Sequence, residues 1–243
     1  MKSIIFAAGL GTRLKELTQH TPKALVEVGG VTLLERAVLK LKQAGVDEII
    51  VNAHHFAEQI VDFVSQRDFG LPIRISLEED KLLDTGGGLK HAMYFFDNEP
   101  FFAYNVDIIS DIDLQEMYRF HCRENATATL AVRNRETQRY LLFNENMQLC
   151  GKENIKTNEK ELIQNISENA HLQRFAFSGI HVISPKIFPF MPAKDIFSIT
   201  ELYLSAAQSQ HIIGYLHNEG SWADMGKIED IESYKNTIVK APL

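Results

Sequence analysis

Residues 6–23, FAAGLGTRLKELTQHTPK, decide how the rest of the chain is read. The apolar run Ile4-Ile5-Phe6-Ala7 has the composition of a short buried strand. It ends on Ala7-Ala8, whose small side chains let a ligand lie against the backbone. Gly9-Leu10-Gly11 then makes a tight, permissive turn. Such a turn aims several backbone N–H groups into one concavity, which suits phosphate oxygens. Thr12 and Arg13 follow, and Lys23 sits behind Pro22, so one loop carries a planar fork and a point charge. A dinucleotide fingerprint fits poorly, because Leu14 stands where its third glycine belongs and no acid follows Ile49-Ile50-Val51. A P-loop fits no better, for want of a Gly-Lys-Ser/Thr ending.

The chain has 243 residues, long enough for one large α/β domain or a domain with an appendage, and its 45% hydrophobic and 23% charged residues are the make-up of an ordinary globular protein. Its net charge of −7 argues against nucleic acid or an anionic membrane as partner. Cys122 and Cys150 are the only cysteines and have no metal-ligand spacing. The apolar run at the amino terminus is too short for a signal peptide, and no run approaches the roughly 18 residues of a membrane span. A soluble, cytoplasmic protein is expected.

Strand and helix patterns alternate through residue 107. An extended segment covers 24–28. Thr32 and Glu35 have capping-box spacing and open a helix that Gly45 stops. Strands are expected at 48–52, 73–77 and 101–105, a helix at 57–64, and a loop at 83–88 leading into a helix with Ala92, Met93 and Phe96. This order predicts an α/β, Rossmann-like, doubly wound and mostly parallel sheet. Beyond it we expect a helix at 114–123, a strand at 127–133 with one wet face and residues 140–143 pairing with it. A mobile polar excursion is expected at 150–172, and a strand at 175–183 broken by Ser178-Gly179. A helix at 200–208, a strand at 212–216, a turn at 222–226 and a closing helix at 228–234 complete the pattern. The chain reads as one domain, 1–243, whose halves, 1–110 and 111–243, are built on one sheet.

Ligands of parallel α/β sheets lie at the carboxyl ends of the strands. Asp107 holds such a position and Asp224 follows the last strand. Either alone reads as a turn or helix cap. Together, behind a phosphate-binding loop, they read as a pair of hard oxygen ligands for Mg²⁺. The adjacent histidines His54 and His55 point to opposite faces of an extended chain and do not make a metal pair.

Taken as a set, Gly9, Gly11, Thr12 and Arg13, then Thr21, Pro22 and Lys23, resemble the signature of the sugar-1-phosphate nucleotidyltransferases, and the likeness extends over nearly the whole chain. Two positions depart from the family pattern: Glu16 stands where proline is usual, and Val106 interrupts the small cluster before the strand-end aspartate. The resemblance implies catalytic roles for Arg13 and Lys23 and nucleotide contacts from Ala7, Ala8, Gly9, Gly11, Thr12, Thr85, Gly87 and Gly88. It implies sugar contacts from Asn105, Ser178, Gly179 and Glu201, and metal ligation by Asp107 and by Asp224 within Trp222-x-Asp224-x-Gly226. The first half would then bind nucleotide and the second the sugar phosphate.

The Glu-Lys acceptor pair of many hexose enzymes is not found; Lys152-Glu153 is reversed. That absence, the compact length, the Thr85-Gly86-Gly87-Gly88 run and Phe177-Ser178-Gly179-Ile180 resemble the N-acetylmuramate-1-phosphate uridylyltransferases. UTP and N-acetylmuramate 1-phosphate are therefore the expected substrates, in cell-wall sugar recycling. Arg139 and Lys152 are both candidates to meet the lactyl carboxylate. GTP with mannose 1-phosphate is the alternative. A non-catalytic nucleotide-sugar-binding regulator and an NAD-dependent oxidoreductase are rivals from other classes.

Overall fold

A computed structural model describes residues 1–164, 166–167 and 169–240, with side chains through 234. Strand β1 (Lys2–Phe6) lies inside a ten-stranded sheet with Ile4 and Ile5 fully buried on opposite faces. A ribbon of β2 (Glu27–Val28) and β3 (Val31–Thr32) follows the loop. In helix α1 (Leu33–Gln43), Thr32 Oγ1 accepts from the Glu35 N–H at 3.2 Å, and Gly45 takes φ 92° just past its end. Next come β4 (Glu48–Ala53), α2 (Ala57–Ser65), β5 (Ile73–Leu77), α3 (Asp84–His91) and β6 (Phe101–Asn105). The order β5-β4-β1-β6 is parallel throughout, as the alternation predicts.

The second half contributes β7 (Ile108–Ser110), α4 (Leu114–Arg123), β8 (Ala128–Arg133), β9 (Arg139–Phe143), β10 (Leu149–Asn154) and β11 (Glu159–Leu162). It closes with β12 (Gln173–Ile183), α5 (Ile199–Ala206), β13 (Ile212–Leu216), β14 (Trp222–Asp224) and α6 (Ile228–Lys240). Strand β12 joins this half to the first. It pairs antiparallel with β6 through Ile180–Ile183, with β9 through Gln173–Phe175, and with β8 on either side of a register shift between Phe177 and His181. Gly179, at φ 75°, sits in that bulge, where only glycine is unstrained. Apolar residues pack on both faces of the sheet, Ile5, Leu34, Val38 and Tyr104 on one, Ile4, Phe101, Leu130 and Leu202 on the other.

Several local expectations change. Residues Lys23–Leu25 form a 3-10 turn rather than extended chain. The segment expected as a loop at 83–88 is helical from Asp84, three glycines notwithstanding. A Cβ on Gly86 would meet the Phe197 ring at 2.4 Å, and one on Gly87 the Asp195 carbonyl oxygen at 2.1 Å. Close packing therefore overrides helix propensity. Strand β8 has no wet face, since Ala128 to Val132 are all buried between β12 and β13. Strand β9 pairs with β10 and β12 instead of β8.

The polar excursion is largely an antiparallel hairpin, β10–β11. Its charges pair across strands, Lys152 with Glu161 at 2.8 Å and Glu153 with Arg174 at 2.7 Å, while Leu149 and Cys150 are buried. Asn165 and Glu168, also in that stretch, lie outside the described residues. The expected turn at 222–226 begins as strand β14, paired with β7. Cys122 and Cys150 are free thiols. No helix among the described residues is long and apolar enough to cross a membrane.

Three histidines are buried with neutral partners. His121 Nδ1 lies 2.9 Å from Thr129 Oγ1, His181 Nδ1 2.6 Å from the Tyr203 hydroxyl, and His217 Nε2 2.7 Å from Ser178 Oγ. Burial lowers their pKa values to about 4, 3 and 4. Lys186 adds to the effect at His121. Arg133 adds to it at His217, where Asp111 opposes. An unfolded chain binds protons at these histidines near pH 6.5 and the folded one does not, so stability present at neutral pH is lost as pH falls from about 6.5 towards 4. Urea midpoints should therefore drop between pH 7.5 and 5, and His121→Gln should flatten the drop. A midpoint unchanged over that range would contradict this.

Candidate active site

The strands β1, β4 and β6 deliver their carboxyl ends to one cavity of about 410 Å³. Ala7, Ala8 and Gly9 form one wall, Asp84 and Thr85 another, and Asn105 and Asp107 stand at the end of β6. A Cβ on Gly9 would meet nothing within 4 Å, so this wall is open to a ligand. Gly11 (φ 63°) turns the loop against Thr18 and Lys23. Thr12 starts the 3-10 segment Thr12–Thr18, which breaks at Lys15 (φ 45°, ψ −110°) just before the exposed Glu16. Gly11 and Thr12 therefore shape the loop and do not line the cavity.

Four charged groups converge beside it. Lys23 and Asp107 form a largely buried ion pair. Asp224 arrives because β14 pairs with β7 so that Asp224 faces Ile108, the residue after Asp107; the Met225 N–H then donates to the Asp107 carbonyl at 2.8 Å. Arg13 joins them at Gly226, where a Cβ would lie 2.7 Å from both Arg13 Nη2 and Asp224 Oδ1. Asp224 Oδ1 is buried with no protein partner. Burial, and then the Asp107 charge, raise the Asp224 carboxyl above the usual carboxylate range against the pull of Lys23 and Arg13. Two carboxylates, one with an orphaned oxygen, suit a hard divalent cation whose other ligands are phosphate and water. Among the described residues no cluster of three His, Cys, Asp or Glu offers a fuller cage.

Other site expectations land differently. The Gly86 and Gly87 N–H groups donate to the Phe197 carbonyl at 3.0 and 3.1 Å, and Gly88 packs on Asn52 and Glu78. Gly87 and Gly88 thus pack α3 and do not face the cavity. Thr85 lines it, but its hydroxyl accepts from the Ile199 N–H at 3.0 Å. Ser178 is fully buried against His217, so its hydroxyl cannot reach a sugar; its carbonyl accepts from Trp222 Nε1 at 3.0 Å. Gly179 packs against Asn105. Glu201 is paired with Lys194 at 2.6 Å and lines neither this cavity nor the larger cleft beyond Asp224. Val106 is buried in the core and lines the cavity between Asn105 and Asp107.

One residue escaped the sequence reading. Asn52, 2% exposed, accepts from the Ala7 N–H at 2.7 Å and donates to Glu78 Oε1 at 2.7 Å; Glu78 Oε2 in turn accepts from the Leu83 N–H at 2.8 Å. This buried network ties the ends of β1, β4 and β5 to the start of α3. The signal was there: an amide inside an otherwise apolar strand needs partners.

Residues 2–241 match the family described as nucleotidyl transferase. The chain belongs to that family. This nucleotidyl transferase is 27% identical to N-acetylmuramate alpha-1-phosphate uridylyltransferase of Neisseria meningitidis over 94% of both chains. It is also 27% identical to mannose-1-phosphate guanyltransferase of Yarrowia lipolytica, over 96% of this chain but 62% of that one. It thus spans about three fifths of the guanyltransferase's length. Its fold is that of UDP-glucose pyrophosphorylase complexed with UDP-glucose (TM-score 0.80, 17% identity, 98% of each chain). HddC from Yersinia pseudotuberculosis complexed with GMP-PN shares the fold too (TM-score 0.76, 21% identity, 98% and 99% of the chains).

Two substitutions separate packing from binding. Gly87→Ala should lower the Tm of the ligand-free protein by several degrees, because overpacking outweighs the gain in helix propensity. An unchanged Tm would show that α3 has room. Asp224→Asn should raise the Tm in metal-free buffer, since it removes a buried charge beside Asp107. A lower Tm would mean that the carboxylate has a stabilising partner.

Proposed function

We propose that the protein transfers a nucleotidyl group from a nucleoside triphosphate to a sugar 1-phosphate, releasing pyrophosphate, with UTP and N-acetylmuramate 1-phosphate as its preferred pair. The observation that carries this reading is the convergence of Lys23, Arg13, Asp107 and Asp224 at the mouth of the Ala7–Gly9 cavity. The attacking group is a phosphate oxygen, already anionic at neutral pH, so no general base is needed. The described histidines His121, His181 and His217 are buried in the fold and do not line the cavity.

Catalysis then consists of positioning and charge stabilisation. The acceptor oxygen bonds to the α-phosphorus as the bond to the β-phosphate's bridging oxygen breaks, and pyrophosphate leaves with the electron pair. The loop backbone at Gly9 and the Arg13 guanidinium hold the departing phosphates. Lys23 offsets charge between the α-phosphate and the incoming one. Asp107 and Asp224 would hold Mg²⁺, which when bound supplies further neutralisation of the phosphate charge. Residues 1–110 supply the nucleotide contacts, and 111–243 the acceptor side.

The full-length match to the uridylyltransferase, at 94% of both chains, favours the uridylyl pair. The reversed Lys152-Glu153 pair is engaged in the β10–β11 hairpin and with Arg174, away from any acceptor role. GTP with mannose 1-phosphate is the second reading, favoured by the guanyltransferase match across 96% of this chain. A purely regulatory nucleotide-sugar binder has no use for the full charged constellation.

Pyrophosphate release over a panel of triphosphates and sugar 1-phosphates tests the proposal. kcat/KM should be highest for UTP with N-acetylmuramate 1-phosphate; a clear preference for GTP with mannose 1-phosphate would replace that pair and leave the transfer reaction standing. Lys23→Ala should lower kcat by about 10²–10³, the loss typical of one preorganised charge at a developing anion. Unchanged turnover would remove Lys23 from the mechanism.

A further inference from the structure

A second, larger cleft of about 1340 Å³ adjoins the catalytic cavity across the Asp107–Asp224 pair, Asp107 lining one and Asp224 the other. Its walls are the end of β8 through the start of β9, residues 220–224 up to and including β14, and the first turns of α6, with Arg13 at the side shared with the cavity. Three arginines line it there, Arg133 at the end of β8, Arg135 in the connection and Arg139 at the start of β9, in a chain of net charge −7. Among the described residues none of the three is paired with a carboxylate. Glu136, Asp224 and Asp230 share the cleft, and Lys227 adds a further cation.

Two of the arginines are held in place yet incompletely satisfied. The Arg135 guanidinium lies 4.4 Å over the Trp222 ring, and its Nη2 donates to the Phe177 carbonyl at 3.0 Å. Its Nε is buried and has no acceptor. Arg133 reaches the Asn218 carbonyl only at 3.4 Å through Nη2, and its Nη1 is likewise buried and unpaired. Buried donors without acceptors cost stability unless a ligand completes them. A fork fixed on an aromatic face is suited to a planar or tetrahedral oxyanion. Lys152 does not line the cleft; it pairs with Glu161 in the β10–β11 hairpin.

We propose that this arginine cleft is the subsite for a second anionic group on the acceptor, a carboxylate or a further phosphate borne by the sugar and distinct from the phosphate that reacts. The proposal rests on the nucleotidyl-transfer reading for the identity of the acceptor. Arg135, positioned by Trp222 and the Phe177 carbonyl, sets the orientation of the group, and Arg139, exposed at the rim, receives it. The acceptor is thereby chosen by charge as well as by shape.

Calorimetric binding of matched acceptors to the full chain tests this without requiring turnover. N-acetylmuramate 1-phosphate and N-acetylglucosamine 1-phosphate differ in the 3-O-lactyl ether that carries the carboxylate, and the amide of that carboxylate separates its charge from its bulk. Mannose 1,6-bisphosphate and mannose 1-phosphate differ only in a phosphate. One doubly anionic member should bind about tenfold or more tighter than its twin, as expected for charge-assisted hydrogen bonds, and which pair shows the gap names the anion. Arg139→Gln, an exposed and conservative change, and Arg135→Lys, which keeps charge but loses the fork, should each shrink the gap. No gap in either pair, or a gap untouched by both variants, overturns the subsite. Pyrophosphate release from plain hexose 1-phosphates in that case leaves the transfer reading intact. A gap that the variants abolish, in a protein that releases no pyrophosphate with any pair, leaves the subsite and removes the transfer reading.

Discussion

The backbone bond from the Met225 N–H to the Asp107 carbonyl ties the two halves of the candidate active site to each other. Asp107 belongs to the parallel half of the sheet, at the end of β6, and Asp224 to a three-residue strand more than a hundred positions later. Neither element alone orients a carboxylate towards the other. The short β7–β14 ribbon does so by placing Asp224 opposite Ile108, and the Met225 bond locks that register. Lys23 reaches the same spot from a 3-10 turn behind Pro22, and Arg13 from the loop after β1.

This arrangement concentrates charge where water is scarce. Asp224 keeps an orphaned oxygen and a raised pKa, while Arg133 and Arg135 keep orphaned nitrogens a short way along the same surface. Such groups cost the free protein stability unless a ligand completes them. The apolar packing on both faces of the sheet has to offset that cost, and its fully buried side chains, among them Tyr104, Phe101 and Leu34, are large. The Asn52–Glu78 network is the contrasting case: its residues are more deeply buried, and both Glu78 oxygens have partners.

How much of this could be read beforehand follows the range of the interaction concerned. The loop from Gly9 to Lys23, the Thr32 cap and the alternation through β6 are local, and local pattern revealed them. The helix through Gly86-Gly87-Gly88 was hidden because its cause, the close approach of residues 195–197, is tertiary. The β10–β11 hairpin was hidden because its charges alternate on an edge and pair with one another, so composition alone reads as solvent-loving chain. Ser178 and Glu201 were named through resemblance; one turns inward to His217 and the other stays on the surface with Lys194. Asp224 was found by its motif, although its strand is too short to show a period. Asn52 stands where a dinucleotide fold carries an acid, and its partners Ala7 and Glu78 lie far from it in sequence.

Strand β12 bears on how ligands come and go. It hydrogen-bonds to β6 of the first half and to β8 and β9 of the second within eleven residues. The two halves are therefore not plates on a hinge: rotating one against the other would tear a shared ladder. Any closure over a ligand would have to come from segments at the strand ends rather than from rotation of one half against the other. In such a molecule the sheet serves as a fixed bench, and adjustment is left to what is mounted at its ends.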